Sequence, residues 1–523
     1  MLYDIAIVGG GPAGLTLAHA CAVALRLKVV LLERDSVFGG CHRVRRVGPD
    51  GIFTEHGPRE YFRAFVSFDR ALRRAGIDGG MRTHFAPYKG SSGTTGPLLP
   101  SFADTCKLVN AFAGFLVSGR TFPGTVAEWL KQANASPQTF QSLDALCARV
   151  DGARADRFSF EEFMQLGNQM AFHSTMLQPT HATDRGGFVE AWTNAVRAAG
   201  VDMRHSIRVK AITPTGCPAG AYALRTDVGD TIIAQRVVFA LPPEALARIR
   251  GARDAFPDID AFARRTAYDH YITVTFEFRP TTRRRTISEL DTAWGVLALE
   301  TSATTANAGR TPDAVVVSAA VSRLNRASPF TGRTANETDD AAAFVREALR
   351  QFYEISDGFG TDGATAPIAV TATLGPFAKH VNGRWTDIDY AYVRVPGTRP
   401  LAPHSTGMPG VYSVGAHNGR SLYAFTSIEA AVANADALLF EWTRSTEFAP
   451  VQALTLRQAL AAFWLCLMTV LPLLWYRGSR FVRTHNSRPV PNRYIGNERS
   501  AVNDSARIVA HAKVLRSTAE YIR

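Results

Sequence analysis

The stretch YDIAIVGGGPAGLTLAHACAVALRLKVVLLE, Tyr3 to Glu33, decides the fold. Tyr3 to Val8 is a short apolar run fit for a buried parallel strand. Gly9-Gly10-Gly11-Pro12-Ala13-Gly14 follows and satisfies GxGxxG with glycines at 9, 11 and 14. Leu15 to Leu25 reads as a helix, and Lys28 to Leu32 as a second buried strand ending in Glu33. In such a unit Gly9 permits the tight turn, Gly11 lets the backbone approach a pyrophosphate, and Gly14 lets helix and strand pack closely. The helix N-terminus, opened by Pro12 and Ala13, faces the negative charge. Glu33 stands about 20 residues past the glycines, where a carboxylate binds the ribose hydroxyls of adenosine. These residues point to a dinucleotide and do not separate FAD from NAD.

Composition bounds the rest. At 523 residues, 46% hydrophobic and 20% charged, the chain has room for a large core and more than one domain. The formal net charge of +12 is concentrated: residues 477–523 hold ten Lys/Arg against three acids, which is +7. The remainder is near-balanced and has no basic stripe interleaved with aromatics, so nucleic acid is not an expected partner. Cys21, Cys41, Cys106, Cys147, Cys217 and Cys466 are scattered, with no CxxC and no metal spacing, a reduced pattern without metal ligands. Met1-Leu2-Tyr3-Asp4 runs straight into the first strand, so no secretory leader is read.

Further blocks extend the opening motif. Glu33 continues into Arg34-Asp35-Ser36-Val37-Phe38-Gly39-Gly40-Cys41-His42-Arg43. Phe53-Thr54-Glu55-His56-Gly57-Pro58 is a second block. A third runs from Gly186-Gly187-Phe188 through a helix, Val189 to Ala199, to Ile207-Arg208-Val209-Lys210-Ala211-Ile212, and then to Val237-Val238-Phe239-Ala240-Leu241-Pro242-Pro243. The fourth is Gly410-Val411-Tyr412-Ser413-Val414-Gly415, then Thr426-Ser427-Ile428-Glu429-Ala430-Ala431 opening a helix.

In this order the blocks resemble the flavin-containing amine oxidase superfamily, which includes monoamine and polyamine oxidases, protoporphyrinogen oxidase and phytoene desaturases. The likeness spans about residues 1 to 440. It implies FAD as cofactor, with Gly9, Gly11, Pro12, Ala13, Gly14, Glu33, Arg34, Gly40, Cys41 and Arg43 on its adenosine diphosphate side. Cys41 occupies the family's usual Arg place, and Arg43 is the candidate for the phosphate contact. Gly57 and Pro58 would approach the isoalloxazine, Val209 the adenine, and Gly415, Ser427 and Ile428 the ribityl chain and flavin N1/O2 at a helix N-terminus. Gly415 is followed by Ala416 and His417, so the family's ribityl carboxylate is absent or replaced. The Cys used for covalent attachment is missing near Gly415 to Tyr423, and non-covalent FAD is expected.

The implied fold is α/β: a discontinuous Rossmann-type FAD domain (1–60, 181–255 and 405–442), an α+β substrate domain (61–180 and 256–404), and a C-terminal hydrophobic helix with a basic tail (443–523). Residues 124–148 and 158–170 read as amphipathic helices, Tyr271 to Phe278 as an alternating strand, and Ala314 to Ala320 as a more continuously apolar one. Ser302 to Pro312 and Ser356 to Gly363 read as loops. Ala459 to Tyr476 is 18 residues without a charge, flanked by Arg457 and by Arg477 and Arg480. That length meets the lower limit for spanning a bilayer. Membrane association through 459–476 is therefore expected, with the enzyme body on the cytoplasmic side; whether the segment spans or lies in the interface is open, as is the oligomeric state. A buried helix docked on the body is the competing reading.

The resemblance implies an oxidoreductase that takes hydride from an amine or related C–H donor, a small-molecule substrate. Alternatives are a protoporphyrinogen-oxidase- or desaturase-like enzyme on a lipophilic substrate, and an isomerase like UDP-galactopyranose mutase. The Lys that amine oxidases place near N5 has no equivalent: the Tyr271 to Phe278 strand carries Ile272 and Thr273 there, and the chain has seven lysines in all. Candidate active-site groups are His56, beside the flavin-facing turn, Trp385 with Tyr390 or Tyr392 as an aromatic wall, and His417, Arg420 and Tyr423 after the last FAD strand. Arg59 is a candidate for carboxylate or phosphate recognition.

Overall fold

Alternating burial along the opening strands shows how the sequence builds two layers of helix around a sheet. Ile5 and Ile7 pack into one cluster with Val29 and Leu31, while Ala6 and Val8 pack into another with Val30 and Leu32. Successive residues of a strand point to opposite faces, so a strand apolar on both must be covered on both. The computed structural model describes residues 1–451, apart from 44, 48–51, 55–60, 78, 88–99, 152, 171–175, 180–186, 217–219, 270, 279–284, 289–290, 302–314, 360–368, 376–377, 388–390, 394–395, 397–399 and 420–426.

The strands that matter here are, in chain order, β1 (Leu2–Val8), β2 (Val29–Leu32), β3 (Asp202–Arg204), β4 (Val209–Pro214), β5 (Tyr222–Thr226), β6 (Thr231–Phe239), β7 (Ile272–Phe278), β8 (Val296–Glu300), β9 (Val315–Val321), β10 (Ala369–Leu374) and β11 (Val411–Ser413). The helices are α1 (Pro12–Val23), α2 (Val66–Arg74), α3 (Phe102–Ser118), α4 (Val126–Gln132), α5 (Pro137–Asp151), α6 (Phe160–Met170), α7 (Gly187–Ala198), α8 (Ala341–Glu354) and α9 (Ile428–Thr443).

The first sheet has seven strands in the order β3-β2-β1-β6-β5-β4, with β11 on the free flank of β6. Strands β3, β2, β1, β6 and β11 run parallel, and β4 and β5 form an antiparallel extension on the first half of β6. On one face lie α1, α2, α7 and α9, through Leu15, Leu17, Phe68, Leu72, Trp192, Val196, Val432 and Leu438. The other face is covered by Leu246, Ile249, Phe256, Ile259, Leu401 and Met408. Each large apolar side chain so buried stabilises the fold by roughly 1.5–3 kcal/mol relative to leaving it in water.

A second sheet, β8-β9-β7-β10, is antiparallel throughout, and α8 packs on it through Phe344, Ala348 and Phe352. The expected strand at 271–278 is present, but all seven residues of β7 are buried, not only the alternate ones. Helices α3 to α6 enclose a further cluster around Phe115, Leu130, Leu143, Phe158 and Phe160. The single helix expected over 124–148 is two. Asn134 takes a left-handed φ of 46°, and Pro137, lacking an N–H to continue a helix, begins α5 instead.

Contacts group Met1–Leu460 as one unit and Ala461–Arg523 as a second, which lies outside the described residues. No helix among the described residues is long and apolar enough to cross a membrane, and the 459–476 segment falls outside them.

Candidate functional site

The carboxyl ends of the parallel strands bring distant parts of the chain into line. Val8 is in register with Leu32 on one side and Phe239 on the other, and Phe239 is in register with Ser413. Backbone bonds carry the alignment past the strand ends: Gly9 N–H donates to Leu32 O (2.8 Å), Ala240 N–H to Val8 O (2.8 Å) and Val414 N–H to Phe239 O (2.9 Å). The chain leaves β1 toward β2 on one flank, while β6 lies on the other. A crevice at such a reversal is where open parallel sheets bind ligands.

The glycine turn forms the floor of this crevice. A methyl group on Gly14 would sit 1.9 Å from Gly9 O, so α1 reaches β1 this closely only with glycine there. Gly11 is different: its added methyl would meet nothing nearer than Gly40 Cα, at 3.7 Å. Gly11 is also the N-cap of α1. It has no side chain to cap with, Pro12 follows, and the first turn carries no acid. The site thus offers a helix N-terminus without a side-chain cap, with Gly40 packed close beside Gly11, which fits the diphosphate of a dinucleotide.

The opposite rim is the loop after Glu33. Gly40 to His42 makes a short helical turn. Arg43 is buried; its guanidinium donates to Gly40 O (2.5 Å) and pairs with Asp35 (3.1 Å), so its described contacts brace the loop that faces Gly11. Arg34 is largely exposed and pairs with Asp35 at 3.3 Å, and Cys41 is exposed. His42 Nδ1 lies 2.8 Å from the Tyr61 hydroxyl, linking this rim to an aromatic cluster of Tyr61, Phe65, Phe68, Phe85 and Phe188.

Glu33 sits at the end of β2 and is buried. One carboxylate oxygen accepts from Gly10 N–H (2.7 Å) and the other from Asp35 N–H (2.8 Å). Burial raises its pKa, opposed by these two amides. The carboxylate therefore braces the glycine turn, a role the sequence did not disclose, and each oxygen keeps a further lone pair for a ribose hydroxyl. Val209 opens β4 and is buried. Ile207 N–H donates to Glu33 O (2.9 Å), which brings the Val209 segment alongside the same carboxylate's residue.

On the far flank, β11 ends at Ser413 and leads through Gly415 into a turn, Ala416–Asn418. Asn434 donates to Gly415 O at 2.7 Å, tying that turn to α9, whose N-cap is Ser427 and first residue Ile428. His417 is buried beside Ser413 Oγ (3.1 Å) and Phe262, and burial lowers its pKa to about 3. It is a neutral imidazole set among protein groups.

Glu429 is the residue whose role the sequence concealed. It is fully buried in the first turn of α9, and its carboxylate accepts Ser67 N–H (2.8 Å) and Phe68 N–H (2.9 Å) at the start of α2. Helix α2 has no side-chain cap of its own. Seven residues along, Asp436 pairs with Arg74 in the last turn of α2. Burial raises the pKa of each acid to about 7, against the pull of the amides and of Arg74 respectively. The only sequence signal was an acid in the first turn of a helix whose next four residues are Ala430, Ala431, Val432 and Ala433.

Trp385 is buried in the core of the second sheet against Phe344, and its Nε1 donates to Thr338 O (2.8 Å). That placement gives it a packing role. Ile272 and Thr273 are buried on β7, which carries no lysine. His56, Gly57, Pro58, Arg59, Tyr390, Arg420 and Tyr423 lie outside the described residues, as does the side chain of Tyr392.

The profile of the NAD(P)-binding Rossmann-like domain matches residues 7–73. No curated protein matches the sequence. Among solved structures, putrescine oxidase bound to putrescine is similar, with a TM-score of 0.58 at 15% identity, covering 85% of this chain and 100% of that one. The chain has an amine-oxidase fold. Cyclohexylamine oxidase from Brevibacterium oxydans is similar at a TM-score of 0.54 and 15% identity, covering 84% of this chain and 99% of its own. An oxidoreductase from Methanosarcina mazei gives 0.55 at 12% identity, covering 84% and 100%. At these identities the likeness is one of fold.

Proposed function

We propose that this chain is an FAD-dependent oxidoreductase of the amine-oxidase type, holding its flavin non-covalently and acting on a small-molecule amine or a related C–H donor. One observation carries the reading: β11, late in the chain, ends in register through β6 with the strand that opens into the glycine turn, and Asn434 ties α9 to the turn after β11. A single-nucleotide site needs only the first unit. An extended dinucleotide with a ring system beyond its diphosphate needs a second wall, and β11 with α9 supplies one.

When bound, FAD supplies the electron acceptor for the substrate C–H bond. The protein's part is positioning. The α1 N-terminus, with Gly11 and Gly40 side by side at it, would take the diphosphate, and Glu33 the ribose. The Gly415 turn and the N-terminus of α9, beginning at Ser427 and Ile428, would lie toward the ribityl chain and ring. His56 and Tyr423 are the proposed groups beside the ring. Glu429 and Asp436 hold α9 to α2, so the helix that faces the ring is fixed from behind. We further assign membrane association to 459–476, with the enzyme body cytoplasmic.

Anaerobic titration tests the reading. Bleaching of the flavin absorbance by members of an amine panel supports an amine donor. A flavin that stays oxidised with every amine, yet is bleached by a porphyrinogen or another lipophilic donor, refutes the amine assignment.

A further inference from the structure

Beyond the end of α9 the chain turns back on itself. Arg444 takes a left-handed φ of 54°, uncommon for a residue other than glycine, and its N–H donates to Phe440 O (2.8 Å). Ser445 Oγ then accepts from Glu447 N–H (3.3 Å) at a short helical turn, Thr446–Phe448. By Val451 the chain has returned to the other end of the helix. Val451 packs with Ala416, in the turn after Gly415, and with Ala430, in the first turn of α9. From Thr443 back to Ala430 the helix measures about 20 Å. The stretch from Arg444 to Val451 reaches at most about 25 Å when fully extended, and its helical turn shortens that. The segment is therefore nearly taut, and it ends at the flavin half of the crevice.

Few contacts hold it. Phe448 is buried, and the Arg74 guanidinium of α2 lies over its ring at 5.0 Å. Arg74 also donates to Glu447 O and Arg70 to Ala449 O, each at 3.3 Å and open to solvent, where such bonds contribute little. Pro450 has no N–H to donate. Two apolar contacts, those of Phe448 and Val451, thus do most of the holding. Arg74 is itself fixed by Asp436 of α9, so the segment, α2 and α9 meet at one guanidinium. The body unit ends at Leu460, and residues 445–451 are its last described segment before the C-terminal unit, Ala461–Arg523.

We propose that residues 445–451 form a strap that governs retention of the cofactor. Docked, it holds the Gly415 turn and the first turn of α9 in place against the flavin half of FAD. Undocked, it frees both and lets FAD leave. Phe448 is the pin that seats the strap, and Val451 is the positioning residue at the site itself. The C-terminal unit, joined to the body beyond this segment, then acts on the flavin through it. This rests on the cofactor reading above, not on the choice of substrate. Because binding linkage is reciprocal, a strap that retains FAD must in turn be held down by FAD.

Two measurements on the full-length protein test it, neither of which needs turnover. The first is the rate of FAD release after dilution, followed by flavin fluorescence far below the melting temperature. Val451→Asp sets a charge against Ala416 and Ala430 at a half-buried position, and Phe448→Ala removes the pin. Each should speed release at least about fivefold, the lower end of coupling between linked sites. Glu447→Ala, exposed and bonded to Arg74 only through its backbone carbonyl, should leave the rate unchanged. The second is limited trypsin digestion of wild type, with cleavage after Arg444 scored by mass spectrometry. FAD should slow that cut by about the same factor, and this arm stands even where a variant fails to fold. Folded Val451→Asp and Phe448→Ala proteins that release FAD at the wild-type rate overturn the strap, as does an Arg444 cleavage rate that FAD does not change. A wild-type chain that takes up no FAD overturns the strap and the cofactor reading together.

Discussion

Replacing Gly11 and Gly14 each by alanine separates a backbone kept small for packing from one kept small for a ligand. At Gly14 the new methyl would lie 1.9 Å from Gly9 O, and real contacts of this kind stay beyond 3.0 Å, so α1 must move away from β1. Overpacking of that sort costs about 1–3 kcal/mol. In a chain this large that lowers the melting temperature by about 1–3 °C, with or without cofactor. At Gly11 the backbone has φ −77°, open to any residue, and the methyl would meet only Gly40 Cα at 3.7 Å. Gly11→Ala should therefore leave the apo melting temperature within about 0.5 °C of wild type. It should weaken FAD by about ten- to a hundredfold, since the methyl adds bulk at the helix N-terminus that the diphosphate would approach. Thermal melts of apoprotein and a flavin fluorescence titration measure the two effects. Wild-type FAD affinity in Gly11→Ala, or wild-type stability in Gly14→Ala, would refute the reasoning.

Glu429→Gln should destabilise the protein, since one of the two α2 amides loses its acceptor, at about 1–3 kcal/mol. Burial raises the pKa of Glu429 to about 7 from its ordinary 4.5, so wild type loses stability from this group as pH rises between those values, and the variant does not. The deficit of the variant in urea melts should shrink from pH 5 to pH 8; a deficit that grows contradicts the assignment. Trp385→Ala should cost about 3–5 kcal/mol through the cavity it leaves, with flavin affinity unchanged; a stable variant with altered substrate KM would return Trp385 to the active site. Deleting 445–523 should move the protein from the membrane to the soluble fraction, and an unchanged distribution on fractionation rejects membrane association.

The opening unit was legible because each of its residues answers a local requirement: apolar strand, glycine turn, uncapped helix and acid at the next strand end follow within Tyr3 to Glu33. The closing strand and helix were legible by resemblance, and β11 and α9 begin within two residues of the expected segments. What escaped depends on partners remote in sequence. Glu33 was read for a ribose, yet its two oxygens are held by Gly10 and Asp35 amides that no spacing reveals. Trp385 stands in an aromatic stretch that fits a site wall or a core equally well, and only Phe344 and Thr338 decide which. Glu429 caps a helix some 360 residues upstream, a pairing without any local signature. The break in the 124–148 helix was visible in Asn134 and Pro137, and apolar periodicity overrode it.

The most direct test of the account is the cofactor itself. Full-length protein, purified and then denatured under mild conditions, should release FAD in stoichiometric amount, leaving none covalently bound. A chain that remains colourless after incubation with FAD, and whose melting temperature FAD does not raise, would contradict it.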